Sequence, residues 1–173
     1  MKFFTPIFLC TCTLLNAQVK QSKETFVLEW PAKEWKLVQK ENMGVFTMYN
    51  YVHPNESLEQ WTERGNTTVY YKQEPAPMDT FMYRIYRQTA MMFPSAKLTL
   101  REKDEKAKYP WIIFTIDIPE GISNVQSISE IFYVTLGKTG FYTNQISVKR
   151  TQVSAEEVKK WSAFFKKAKV INK

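Results

Sequence analysis

One imidazole bounds most of what this chain can do chemically. His53, directly before Pro54, is the only histidine among 173 residues. Histidine is the side chain that titrates near neutrality and the commonest metal ligand. A zinc site takes three or four Cys, His or carboxylate ligands. The two thiols, Cys10 and Cys12, fall within the first dozen residues. His53 therefore reads as an ordinary loop histidine, and no metal is expected. A Ser–His–Asp relay would need His53 as its base, and no Gly-x-Ser-x-Gly elbow is present. Gly137 and Gly140 bracket a short turn rather than a phosphate loop. Asp104 and Glu105 sit among Lys103, Lys106 and Lys108, which argues against a calcium loop. No cofactor and no catalytic residue are expected.

Two other constellations carry chemistry. Asp79, Asp117, Glu120 and Glu130 would make a hydrolase if two of them converged in a cleft, as glycosidase carboxylates do. Asp117 ends the apolar run 111–116 and reads as a strand-end residue facing water or capping the Pro119-Glu120-Gly121 turn. Tyr83, Arg84, Tyr86 and Arg87 place two aromatic and two guanidinium groups on one helical stretch, a composition typical of recognition patches. Tyr49, Tyr51, Tyr70 and Tyr71 form a second aromatic set on neighbouring strands.

The elements that position these residues follow from periodicity. Strands are expected at 25–30, 35–38, 44–52, 67–72, 96–101 and 109–118, the last being the most apolar stretch after the leader. In 96–101, Ala96, Leu98 and Leu100 are expected to point inward. Residues 131–136 and 141–148 make the clearest hairpin. A short helix opens at Ser57, capped with Gln60, and stops at Gly65. A second helix runs from Pro77 to Pro94 with Met78, Phe81, Met82, Ile85 and Met92 at helical spacing. A third is capped by the Ser154/Glu157 box and the Val153/Val158 staple, with Trp161, Phe164 and Phe165 on one stripe. The fold class is α+β: a twisted, mainly antiparallel sheet with helices packed on it in an α/β/α sandwich.

Residues 1–17 have the layout of a cleaved secretory leader: Lys2, an apolar stretch over 3–15, and Ala17 before Gln18. Lipid attachment at Cys10 or Cys12 is the alternative. A single domain spans 18–173, exported to a periplasm or beyond. It has no disulfide and no later stretch long enough to span a bilayer. The net charge of +7 is concentrated in residues 149–173, with eight basic and two acidic side chains. No nucleic-acid motif accompanies it, so it reads as a solvated lysine face.

The strand 26–30, the run Trp30-Pro31-Ala32-Lys33-Glu34-Trp35 and the terminal Trp161-Phe164-Phe165 helix resemble, in element order, the PsbP/DcrB-like secreted domains. That resemblance implies an α/β/α sandwich of similar length and carries over no functional residue. The functional expectation is a non-catalytic exported domain that binds a partner protein or envelope component. The alternative is a small-molecule or lipid carrier with an apolar pocket between the sheet and the Met78–Met92 helix. A carboxylate hydrolase ranks last.

Overall fold

The computed structural model describes residues 24–72, 74–119 and 127–172. The leader expected at 1–17, together with Glu120 and Gly121, lies outside the described residues. Nine strands and two helices follow in order: β1 Glu24–Val27, β2 Lys36–Asn42, β3 Phe46–Val52, β4 Glu63–Tyr71, α1 Met78–Met92, β5 Lys97–Asp104, β6 Trp111–Ile118, β7 Ile128–Leu136, β8 Gly140–Val148, α2 Ala155–Phe165 and β9 Lys169–Asn172.

Seven strands form one antiparallel sheet in the order β2-β3-β4-β8-β7-β6-β5. Two meanders, β2 to β4 and β5 to β8, meet where β4 pairs with β8. Helix α1 carries the chain from β4 at mid-sheet to β5 at the far edge. Both edge strands carry a register shift, at Leu37/Gln39 and at Leu100/Glu102. Such irregularities discourage edge-to-edge pairing. Leu100 stays exposed on that edge rather than turning inward.

The helices cover opposite faces. Met78, Phe81 and Met82 of α1 pack on Ile112, Phe114, Ile116, Val134 and Phe141. Trp161 and Phe165 of α2 pack on Trp35, Ile113, Ile131, Tyr133 and Ile146. Alternation along β6 therefore feeds both cores, Ile112/Phe114/Ile116 to one and Ile113 to the other. This is the expected α+β sandwich. The α2 capping box is present, with the Glu157 amide donating to Ser154 Oγ and the Ser154 amide to Glu157 Oε2. Helix α1 starts without a side-chain cap of its own. The Met78 amide instead donates to Glu105 Oε1 of the charged turn after β5, at 3.1 Å. Among the described residues no helix is long and apolar enough to cross a membrane.

Three expectations need correction. The short helix at 57–65 does not form. Ser57 Oγ does accept from the Gln60 amide at 3.2 Å, but within a turn, and β4 begins at Glu63. A nucleus of so few residues is unfavourable, and β4 gains ladders to both β3 and β8 instead. Gly65 therefore stands in mid-strand, not at a helix stop. The described residues hold two helices, not three. The first strand also ends at Val27 rather than Trp30, because among the described residues it pairs only with β9, a four-residue strand that its own periodicity does not announce. Its Glu24 carboxylate accepts from the Lys138 and Thr139 amides, tying this ribbon to the β7–β8 turn.

Candidate functional site

Helix α1 lies over β6 and β7, so among the described residues no helix lies above the other half of the sheet face on its side. That half is β3, β4 and β8. A solvated sheet face ordinarily carries long charged side chains. Here the strands present short, uncharged polar ones, and Asn50, Asn66, Thr68 and Thr143 are all buried. The register sets them side by side: Asn50 faces Asn66, Asn66 faces Gln145, and Thr68 faces Thr143. They form the floor of an open groove of about 410 Å³. The walls are Ile85, Gln88, Thr89 and Met92 of α1 on one side and Met48 of β3 on the other.

The floor is organised by its own hydrogen bonds. Thr68 Oγ1 donates to Asn66 Oδ1 at 2.8 Å, and Asn66 Nδ2 to Asn50 Oδ1 at 2.9 Å. Asn50 Nδ2 in turn donates to Gln39 Oε1 at 2.8 Å. The chain crosses three strands and holds each amide in one orientation. At the α1 end sits Glu130 of β7. Its Oε1 accepts from Gln145 Nε2 at 2.5 Å and from Ser147 Oγ at 3.0 Å. Arg64, beside Ser147 in the register, acts on Glu130 through space, while its guanidinium lies over the Trp61 ring at 4.9 Å. Tyr70, stacked on Phe141 at 4.0 Å, and Phe132 close the apolar end.

Burial raises the Glu130 carboxyl above the ordinary value of 4.5, against the hydrogen bonds from Ser147 and Gln145 and the Arg64 charge. A raised folded-state value means that the native state holds this proton more tightly than the unfolded chain. The stability it contributes is complete below about 4.5 and is lost as pH rises through the folded value. Glu130→Gln is therefore expected to be more stable than wild type at pH 8, with the difference closing near pH 4. Thermal unfolding at both pH values checks this, where 1 kcal/mol reads as about 2–4 °C. An equal difference at both would contradict it.

The other expected site residues are dispersed. Tyr83, Arg84 and Arg87 share the outward face of α1 with Met91. Tyr86 does not join them: it packs into the α1 core and its hydroxyl donates to the Ala96 carbonyl at 3.2 Å. The second tyrosine set splits between the two faces of the sheet. Tyr51 stacks on Trp30 against the α2 core, and Tyr70 lies in the groove on the α1 side. Of the four carboxylates, Asp79, Asp117 and Glu130 do not converge, and Glu120 lies outside the described residues. Asp79 pairs with Lys103 at 2.7 Å at the start of α1. Asp117 is buried rather than facing water, and its Oδ1 lies 3.4 Å from the Val153 amide at the entry to α2. Glu130 opens to the opposite face. His53 is tied to the Glu34 carbonyl at 2.8 Å and lies 3.5 Å from Glu63. Among the described residues no group of His, Cys, Asp and Glu could hold a metal.

Fold and site together define an antiparallel α+β sandwich with a polar groove beside α1. No protein-family model matches the chain, and no curated protein matches it.

Proposed function

We propose that this chain is an exported, non-catalytic binding domain whose ligand enters the groove between α1 and the amide-lined half of the sheet. One observation carries the reading: buried Asn and Thr side chains, with the half-buried Gln145, line an open groove in positions where structural needs alone favour either long charged residues or a second apolar layer. Pre-set polar groups on rigid strands lose little entropy when a ligand arrives. Adaptable thioethers, Met48 and Met92, sit on the rims. The opposite-face placement of Asp117 and Glu130 takes support from the hydrolase alternative. The likeness in element order to the PsbP/DcrB-like domains and the leader at 1–17 belong to the same proposal, and would place the groove outside the cytoplasm.

A second reading has its own observation. On the outward face of α1, Tyr83 is 51% exposed and Met91 85% exposed, beside Arg84 and Arg87. Exposed large side chains next to guanidinium groups suit a protein partner.

One experiment separates the two. The purified domain is incubated with a small-molecule extract of its producing cells, desalted and measured by native mass spectrometry. A small-molecule adduct is expected on the wild type and on Tyr83→Ala, and is expected to be lost from Met92→Asp, whose site is 59% exposed and tolerant of substitution. No adduct, or loss confined to Tyr83→Ala, would contradict the groove.

A further inference from the structure

We propose that the ligand of this groove is an uncharged, hydroxyl-rich molecule with an apolar face: a saccharide of one or two rings. The inference rests on the groove reading above and narrows it to a chemical class.

Charge is the first argument. Of the groove-lining residues only Arg64 and Glu130 are of types that carry charge at neutral pH, and they are of opposite sign; burial raises the Tyr70 phenol, which stays neutral there. They lie near enough for the guanidinium to act on the carboxylate. An amine would approach Glu130 against Arg64, and a phosphate or carboxylate would approach Arg64 against Glu130. Neither ion meets a surplus of opposite charge. An uncharged ligand needs none.

Hydrogen-bonding capacity is the second. A primary amide carries two N–H donors and an acceptor oxygen. The floor bonds use one donor of Asn50 and one of Asn66, leaving the second N–H of each. On Glu130, Oε1 receives both Gln145 and Ser147, while Oε2 makes no hydrogen bond to a described residue. Two donors and an acceptor therefore remain along one surface. Vicinal hydroxyls, each both donor and acceptor, can meet both kinds. A fatty chain does not: it would cover these groups without satisfying them, at about 1–3 kcal/mol for each one stranded.

Shape is the third. A sugar ring presents C–H groups on one face and hydroxyls around its edge. The groove offers the complement, with polar groups below and Met48, Ile85, Met92, Tyr70 and Phe132 at the sides. Its volume of about 410 Å³ lies in the lower part of the range for small-ligand sites, about 300–1,000 Å³.

The test is a titration of the ¹⁵N-labelled domain, followed by amide shifts, with maltose, cellobiose and N,N′-diacetylchitobiose, each to about 10 mM, a generous ceiling for weak binding. Diglycine, inorganic phosphate and laurate are the comparators. At least one disaccharide is expected to bind saturably, with shifts on β4, β8 and the second half of α1. Asn50→Ala is expected to weaken it about tenfold, the effect of one lost hydrogen bond. Met92→Asp should do likewise at an exposed rim where folding is not at stake. A cooperative thermal transition well above the titration temperature would show that both variants are folded. Saturable binding of a comparator in the groove, with no disaccharide bound, would overturn the saccharide assignment and leave the groove standing. Saccharide shifts confined to another surface would also overturn the assignment. Failure of all six probes, together with no adduct from the cell extract, would overturn both.

Discussion

Gly65→Ala is expected to destabilise this domain by about 2–4 kcal/mol, although it places a better strand former in the middle of β4. The reason is Trp30. The outer atoms of its six-membered ring lie against Gly65, so that an added Cβ would collide with Cη2 and sit 2.5 Å from Cζ3 and 3.1 Å from Cζ2. A ring at the end of a free side chain could swing aside, but this one is held. Tyr51 stacks on it at 4.7 Å and 17°, Trp35 and Phe164 meet it edge-on at 5.0 and 5.2 Å, and Nε1 donates to Thr67 Oγ1 at 3.2 Å. The strand-propensity gain is at most about 1 kcal/mol, smaller than the cost of unseating the ring. A double-mutant cycle isolates the cause. In a Trp30→Ala background the Gly65→Ala cost is expected to vanish, because nothing remains to clash. Denaturant unfolding of the four proteins measures it, and an undiminished cost in that background would show that Gly65 serves the backbone rather than the indole.

Trp161→Ala is expected to cost about 3–5 kcal/mol, the usual range for a large aromatic removed from a core. Against a total stability of about 5–15 kcal/mol, that leaves a marginal fold. Trp161 is buried at the centre of the α2 core, with Trp35, Phe164 and Phe165 at 5.6, 5.6 and 5.9 Å. Its indole Nε1 is buried without a hydrogen-bond partner among the described residues. The conservative change therefore behaves differently from an ordinary Trp→Phe replacement. Phenylalanine keeps much of the ring contact and removes a donor whose isolation costs about 1–3 kcal/mol. Trp161→Phe is expected to lose less than about 2 kcal/mol. Equal losses for the two substitutions, read from chemical denaturation, would mean that the indole nitrogen contributes to stability after all.

The elements with strong periodicity were legible from residue order. The stripe from Met78 to Ile85, the Ser154/Glu157 box and the Gly-bearing hairpin between β7 and β8 each fix local structure by themselves. Elements decided by distant pairing were not. Residues 57–65 look helical only until β3 and β8 compete for the same chain, and β9 is a strand because Val170 finds Phe26. Gly65 shows the limit most sharply: what demands a glycine there is an indole 35 positions earlier. For the site, the Tyr83/Arg84/Arg87 stripe was visible because one helix carries it. The groove is shared by four strands and a helix, so no single window contains it. Glu130 stood out as one carboxylate among several. A signal was nevertheless present in Asn50, Asn66, Thr68, Thr143 and Gln145: short, uncharged polar residues alternate along three strands where a solvated face would carry lysine and glutamate.

The most direct test of the central claim is an amide shift map of the labelled domain with the small molecule recovered from the cell extract. The account predicts perturbations on Arg64, Asn66, Thr68, Thr143 and Gln145, with Glu130 and the Ile85–Met92 side of α1, and quiet amides in β5 and β6. Perturbations gathered around Tyr83, Arg84 and Arg87, with β4 and β8 unmoved, would contradict it.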